Sequence, residues 1–103
     1  MSFSIQILTP ANEDLLSAHR FYEKQQKGLG KRCANSLLSD IAGLAHSAGV
    51  HPKRYGLYFK VATTFPFSIY YDVLDSRVGV FAVLDNRQAI EKIMNKLLGI
   101  KNA

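Results

Sequence analysis

The segment Thr64–Arg87, TFPFSIYYDVLDSRVGVFAVLDNR, decides how the rest of the chain can fold. Phe67, Ile69, Tyr71 and Val73 alternate with Ser68, Tyr70, Asp72 and Leu74. After Asp75-Ser76 the alternation resumes, with Val78, Val80, Ala82 and Leu84 set against Arg77, Gly79, Phe81 and Val83. Two β-branched and aromatic runs of period two, joined by a turn signal, predict a hairpin. Apolar residues on both faces predict that the pair is central in its sheet, with little open to water. Arg87 follows where the second strand stops. A charged side chain at a rigid strand end is well placed to act on a partner.

Working outward, Tyr55, Leu57, Phe59 and Val61 alternate and predict a strand leading into the hairpin through Thr63-Thr64. Gly49–Arg54 reads as a loop, because His51-Pro52 forces an extended dipeptide. Phe3–Leu8 reads as a first strand, with Phe3, Ile5 and Ile7 on one face. Thr9-Pro10 then marks a helix start, with Thr9 as the cap and Pro10 at the first helical position. Glu13 and Asp14 fall in its first turn, where the helix dipole favours anions.

Ala11, Leu15, Ala18 and Tyr22 make one apolar stripe, and this helix is expected to run to about Gln26. Gly28-Leu29-Gly30 breaks it, the first glycine acting as the stop. A second helix is expected over Gly30–Ser47, with Ala34, Leu37, Ile41, Leu44 and Ala48 as its stripe and Leu38 and Ala45 widening it. The short connection between the two makes them an antiparallel hairpin. Arg20, Lys24, Lys27, Lys31 and Arg32 lie on its outer surface, which reads as a solvated face or as a phosphate-facing one. Past Arg87, Ile90, Ile93, Met94 and Leu97 form the stripe of a C-terminal helix over Gln88–Leu98. That stripe must cover the chain's own sheet, a second copy or a partner. The order β-α-α-β-β-β plus a C-terminal helix predicts an α+β fold of two layers.

The chain has 103 residues, one domain over 1–103 by size, and 48% apolar residues argue against disorder. The net charge is +5; from Lys53 onward eight Lys/Arg face four Asp/Glu. A basic chain meets acidic proteins or nucleic acids, or is simply kept soluble. Cys33 is the lone cysteine, so no internal disulfide forms, and a reducing, cytoplasmic setting is expected. Neither a signal peptide nor a bilayer-spanning apolar run is visible. No metal-ligand spacing links His19, His46 and His51, which read as surface or packing residues, and no cofactor is expected. The Gly28–Gly30 turn joins helix to helix and is no nucleotide loop. Tyr55, Tyr58, Tyr70 and Tyr71 could stack on bases, but half of them should face the core.

Three blocks together carry a resemblance: YEKQQKGLGKR at Tyr22–Arg32, FPFSIYYDV at Phe65–Val73 and VFAVLDNR at Val80–Arg87. In order and spacing they resemble the RelE/ParE superfamily of small toxins from bacterial type II toxin–antitoxin (plasmid stabilisation) systems, on the ParE side. The resemblance implies a RelE-like fold, a helical hairpin on a small, mainly antiparallel sheet with the N-terminal strand beside the last one. It also implies a cognate antitoxin that wraps the toxin. RelE-like members cut mRNA in the ribosome, whereas ParE-like members inhibit DNA gyrase.

Residue by residue, Arg87 matches the arginine ending the last strand, and Lys60 a basic position on the second. Ser68 stands where the hairpin's first strand often carries a basic residue. The RelE-type tyrosine falls near Ile93, and no tyrosine lies beyond Tyr71. Asp85 replaces a common histidine, Gln88 a second arginine, and Thr63-Thr64 arginines. RNA cleavage through a 2′-oxygen needs an acid, a base and cations. Lys60 and Arg87 supply only the cations, and Asp85 weakens attraction for a phosphate beside Arg87. The resemblance therefore implies a gyrase-type binder, with a ribosome-dependent endoribonuclease or a non-toxic member as alternatives and a homo-oligomer possible. Lys60, Arg77 and Arg87 are the candidate target or RNA contacts. An acidic antitoxin segment would meet those cations, and its apolar anchors Ile90, Ile93, Met94 and Leu97.

Overall fold

The structure, a computed structural model, describes residues 2–88 and 90–101, without the side chains of Ile90 and Lys101. Strand β1 (Ser4–Ile7) is followed by helices α1 (Thr9–Gln25), α2 (Leu29–Ala42) and the single turn α3 (Leu44–Ser47). Strands β2 (Lys53–Arg54), β3 (Leu57–Val61), β4 (Phe67–Leu74) and β5 (Arg77–Asp85) follow, then helix α4 (Ile90–Lys101). The sheet order is β1-β5-β4-β3-β2. β1 runs parallel to β5 and every other pair is antiparallel. This is the mainly antiparallel α+β arrangement expected, with β4 at the centre.

The first helix starts one residue earlier than Thr9-Pro10 suggests. Leu8 sits at the cap with no side-chain bond, and Thr9 is already helical. The cause is the ladder: Leu8 N–H donates to the Val80 carbonyl at 3.0 Å, fixing the chain's exit from the sheet. Glu13 and Asp14 consequently lie past the first turn. The stripe of α1 is as read, with Ala11, Leu15, Ala18 and Tyr22 all buried.

Between the helices, Gly28 takes φ 87°, a left-handed value that favours glycine. It caps α2 rather than stopping α1, whose last cap is the extended Gln26. The predicted second helix breaks at Gly43, leaving α2 and α3. Cys33, Leu37, Ile41 and Leu44 are buried, whereas Leu38 is 42% exposed and does not widen the stripe.

A fifth strand appears where a loop was expected. Tyr55 and Gly56 have φ of 56° and 82°, so the chain reverses there and β2 pairs with β3. Positive φ at both central residues fits a type I′ hairpin turn. Tyr55 is thus a turn residue, not part of a strand.

The main core joins α1, α2 and one sheet face: Leu37, Ile41 and Leu44 share a cluster with Ile69, Tyr71, Val78, Val80 and Val83. A second cluster on the other face joins Leu57, Tyr70, Ala82 and Leu84 to Ile93 and Leu97 of α4. The helix therefore folds back on its own sheet as a third layer. The switch between faces comes from a bulge. Tyr71 pairs with Val80 but Tyr70 with Ala82, so Phe81 is an extra residue in β5. One extra residue reverses the alternation beyond it. Val78 and Val80 face the helical hairpin, and so does Val83, while Ala82 and Leu84 face α4.

Candidate functional site

Arg77 opens β5 and Arg87 lies two residues past its end. The strand between them spans roughly 26 Å at ~3.3 Å per residue, so they belong to different surfaces. Lys60 pairs across the sheet with Ile69, which faces the helical hairpin. The structure does not bring the three cations together.

Lys60 is engaged within the fold. Its Nζ donates to the Asp40 carbonyl at 3.1 Å, in the last turn of α2. An ammonium there meets the negative end of the helix dipole. The Asp40 carboxylate, on a residue only 7% exposed, accepts from Thr63 N–H at 3.0 Å and from its hydroxyl at 3.1 Å. Asp40 thus ties α2 to the segment after β3.

Arg87 is paired too. Its guanidinium meets the Asp85 carboxylate at 2.6 Å, with side chains 59% and 22% exposed. The Arg87 hydrogen bond holds the Asp85 carboxyl below its ordinary range, and Asp85 in turn raises the guanidinium. Arg77 is exposed and in no ion pair among the described residues.

The stripe of α4 is partly spent inside the chain. Ile93 is 3% exposed and Leu97 fully buried, both against the sheet. Met94 is half-buried. The Ile90 side chain lies outside the described residues. A partner reaching Ile93 or Leu97 must first lift α4.

Beside Ile93, on the α4 side of the sheet, opens a cleft of about 270 Å³ lined by Arg54, Phe59, Val61, Ser68, Asn86 and Gln88. The Arg54 guanidinium lies 4.4 Å above the Phe59 ring centre and 3.5 Å from the Tyr70 hydroxyl. Ser68, 2% exposed, donates to Asn86 Oδ1 at 2.6 Å. Gln88 Oε1 is buried and unpartnered among the described residues. Arg54 and Asn86 were not singled out from sequence, because the Tyr55-Gly56 turn that aims Arg54 lacks the usual Asn or Asp.

The cleft offers one cation and neutral amide and hydroxyl groups, with no side chain that titrates near neutrality. His51 lies on the other side of the sheet, against Tyr71 of the main core. The Tyr71 hydroxyl accepts from Gly49 N–H at 3.0 Å, which leaves its proton for Nδ1 of a neutral His51. Burial, helped by nearby Lys60, lowers the His51 pKa. Burial likewise pushes the Cys33 thiol up, consistent with a packing residue. Among the described residues no cluster of three metal-ligating side chains occurs, and no helix is long and apolar enough to cross a membrane.

No protein-family model and no curated protein sequence matches the chain. Solved structures do. A chain of the chromosomal ParDE TA system from P. aeruginosa superposes with a TM-score of 0.73 at 15% identity. The match covers 82% of this chain and 96% of that one. What the two chains share is the fold, an α+β arrangement of the kind that the three sequence blocks suggested. More particularly, the chain has the fold of a protein from a ParDE system.

Proposed function

We propose that this protein is the toxin of a type II toxin–antitoxin pair, ParE-like in action, which binds an essential target such as DNA gyrase. A cognate antitoxin with an acidic segment neutralises it in the cytoplasm. The observation that carries this reading is the shared fold with the ParDE protein over nearly the whole of that chain. The chemistry of the sheet supports binding over RNA cleavage. Lys60 serves the end of α2 and Arg87 is paired with Asp85 but exposed, while the cleft of Arg54 holds no acid–base pair. Arg77 and Arg87, both exposed, are the cations a target or the antitoxin would meet.

The test is induced expression without antitoxin, with plasmid supercoiling and translation followed separately. Relaxed or broken DNA with continuing translation is the expected result. Prompt loss of translation with cut mRNA would make the protein an endoribonuclease, and normal growth would make it a non-toxic member of the fold.

A further inference from the structure

We propose that the turn joining α1 and α2 is a binding surface for the phosphate backbone of double-stranded DNA, separate from the sheet. The inference does not rest on the toxin reading. Charge is concentrated there. Residues 19–32 hold five cations, Arg20, Lys24, Lys27, Lys31 and Arg32, and one acid, Glu23; the remaining chain holds eight cations and seven acids. Four of the five net charges thus sit at one end of the molecule.

The structure leaves those cations free. All five residues are exposed, and among the described residues none is in an ion pair. Their single neighbouring acid is occupied: the Glu23 carboxylate accepts from Gly28 N–H at 3.0 Å and Gly30 N–H at 3.0 Å. Those bonds lower the Glu23 pKa and keep it facing the turn. Gly30 makes this approach possible, since a Cβ there would meet the His19 carbonyl and lie 2.9 Å from Glu23 Cβ. The buried stripe of α1 directs Arg20 and Lys24 away from the core.

The surface suits a nucleic acid better than a protein. A stable protein interface is built round an apolar centre, whereas DNA interfaces are polar and strongly positive. Of the exposed large apolar side chains among the described residues, Phe21, 50% exposed, falls within residues 19–32, and none lies between Lys24 and Arg32. The four cations Lys24, Lys27, Lys31 and Arg32, with no exposed large apolar side chain between them, match phosphates spread along a duplex.

The test is anisotropy titration of the full chain with a labelled 20-base-pair DNA duplex across salt concentrations. If all five cations engage, the slope of log K against log salt approaches roughly −4.5, at about −0.9 per phosphate contacted. Lys24→Gln with Lys27→Gln should weaken binding at least about fivefold at 50 mM salt and flatten the slope by roughly two. Lys92→Gln with Lys96→Gln on α4 removes the same net charge and should change binding less than twofold. Circular dichroism melting checks that both variants fold. Equal losses in the two variants, tighter binding to poly-glutamate than to the duplex, or no duplex binding at 50 mM salt would each overturn the proposal.

Discussion

The carboxylate of Asp85 and the guanidinium of Arg87 hold each other 2.6 Å apart at the end of β5. Asp85 Oδ1 also accepts Arg87 N–H at 2.8 Å, so the pair closes the strand end as a small ring. The exposed arginine adds little to folding, since an exposed pair is well screened. Arg87→Ala is expected to leave the melting temperature nearly unchanged and to reduce toxicity or antitoxin affinity. Asp85→Asn is expected to free the guanidinium and strengthen binding to an acidic antitoxin segment. Growth assays and calorimetric titration check both, and a large drop in melting temperature for Arg87→Ala would make the residue structural.

Leu37 and Ile41 carry the contact of α2 with the sheet, at 0% and 2% exposure. Truncating either to alanine leaves a cavity beside Ile69 and Tyr71 and should cost about 2–5 kcal/mol. Urea unfolding measures it. A Leu37→Ala variant as stable as the parent would show that the helical hairpin does not seal the core.

Gly30 of α2 is packed tightly against α1. An added methyl group would press on the His19 carbonyl and on Glu23. Gly30→Ala should therefore destabilise by about 1–3 kcal/mol as overpacking does, although alanine is the better helix former. Gly28→Ala meets open space but sits at φ 87°, so its cost is conformational alone. Parallel urea melts of the two variants separate sterics from backbone conformation.

His51 makes the fold pH-sensitive in one direction. Its pKa is lowered in the folded state by burial and by Lys60, while Tyr71, stacked on Tyr58, holds the neutral ring. Above about pH 6.5 the ring is neutral in both folded and unfolded chains. As the pH falls below that value the unfolded chain takes up a proton first, so stability drops until the folded ring also titrates. Urea midpoints at pH 7.5, 6.5 and 5.5 should fall in that order. The His51→Asn variant, which can still accept from Tyr71, should lose the part of the fall that belongs to this ring. An identical fall in parent and variant would assign it elsewhere.

Local patterns in the sequence were enough for the helical hairpin and the central strands. The α1 stripe of Ala11, Leu15, Ala18 and Tyr22 is periodic because one face must be buried, and it is buried as read. The same holds for β4, where Phe67, Ile69 and Tyr71 line one face and both sides are covered. These signals are local, and short-range sterics and burial suffice to produce them.

Only the tertiary structure decided the rest, because long-range pairing overrode local pattern. Phe81 looks like one more member of an alternating strand, yet the register with Tyr70 and Tyr71 makes it a bulge and turns Ala82 and Leu84 toward α4. Leu38 matched a helical stripe but lies beyond the edge of the helix contact. Asp14, read as a helix-dipole acid, instead accepts Val83 N–H at 2.9 Å, because β1 ends opposite Val80 and leaves no strand beside Val83. Candidate cations were visible as residue types, but not their partners. Whether Lys60, Arg77 or Arg87 is free depends on Asp40 and Asp85 in space, and Lys60 and Asp40 are brought together across twenty residues of sequence.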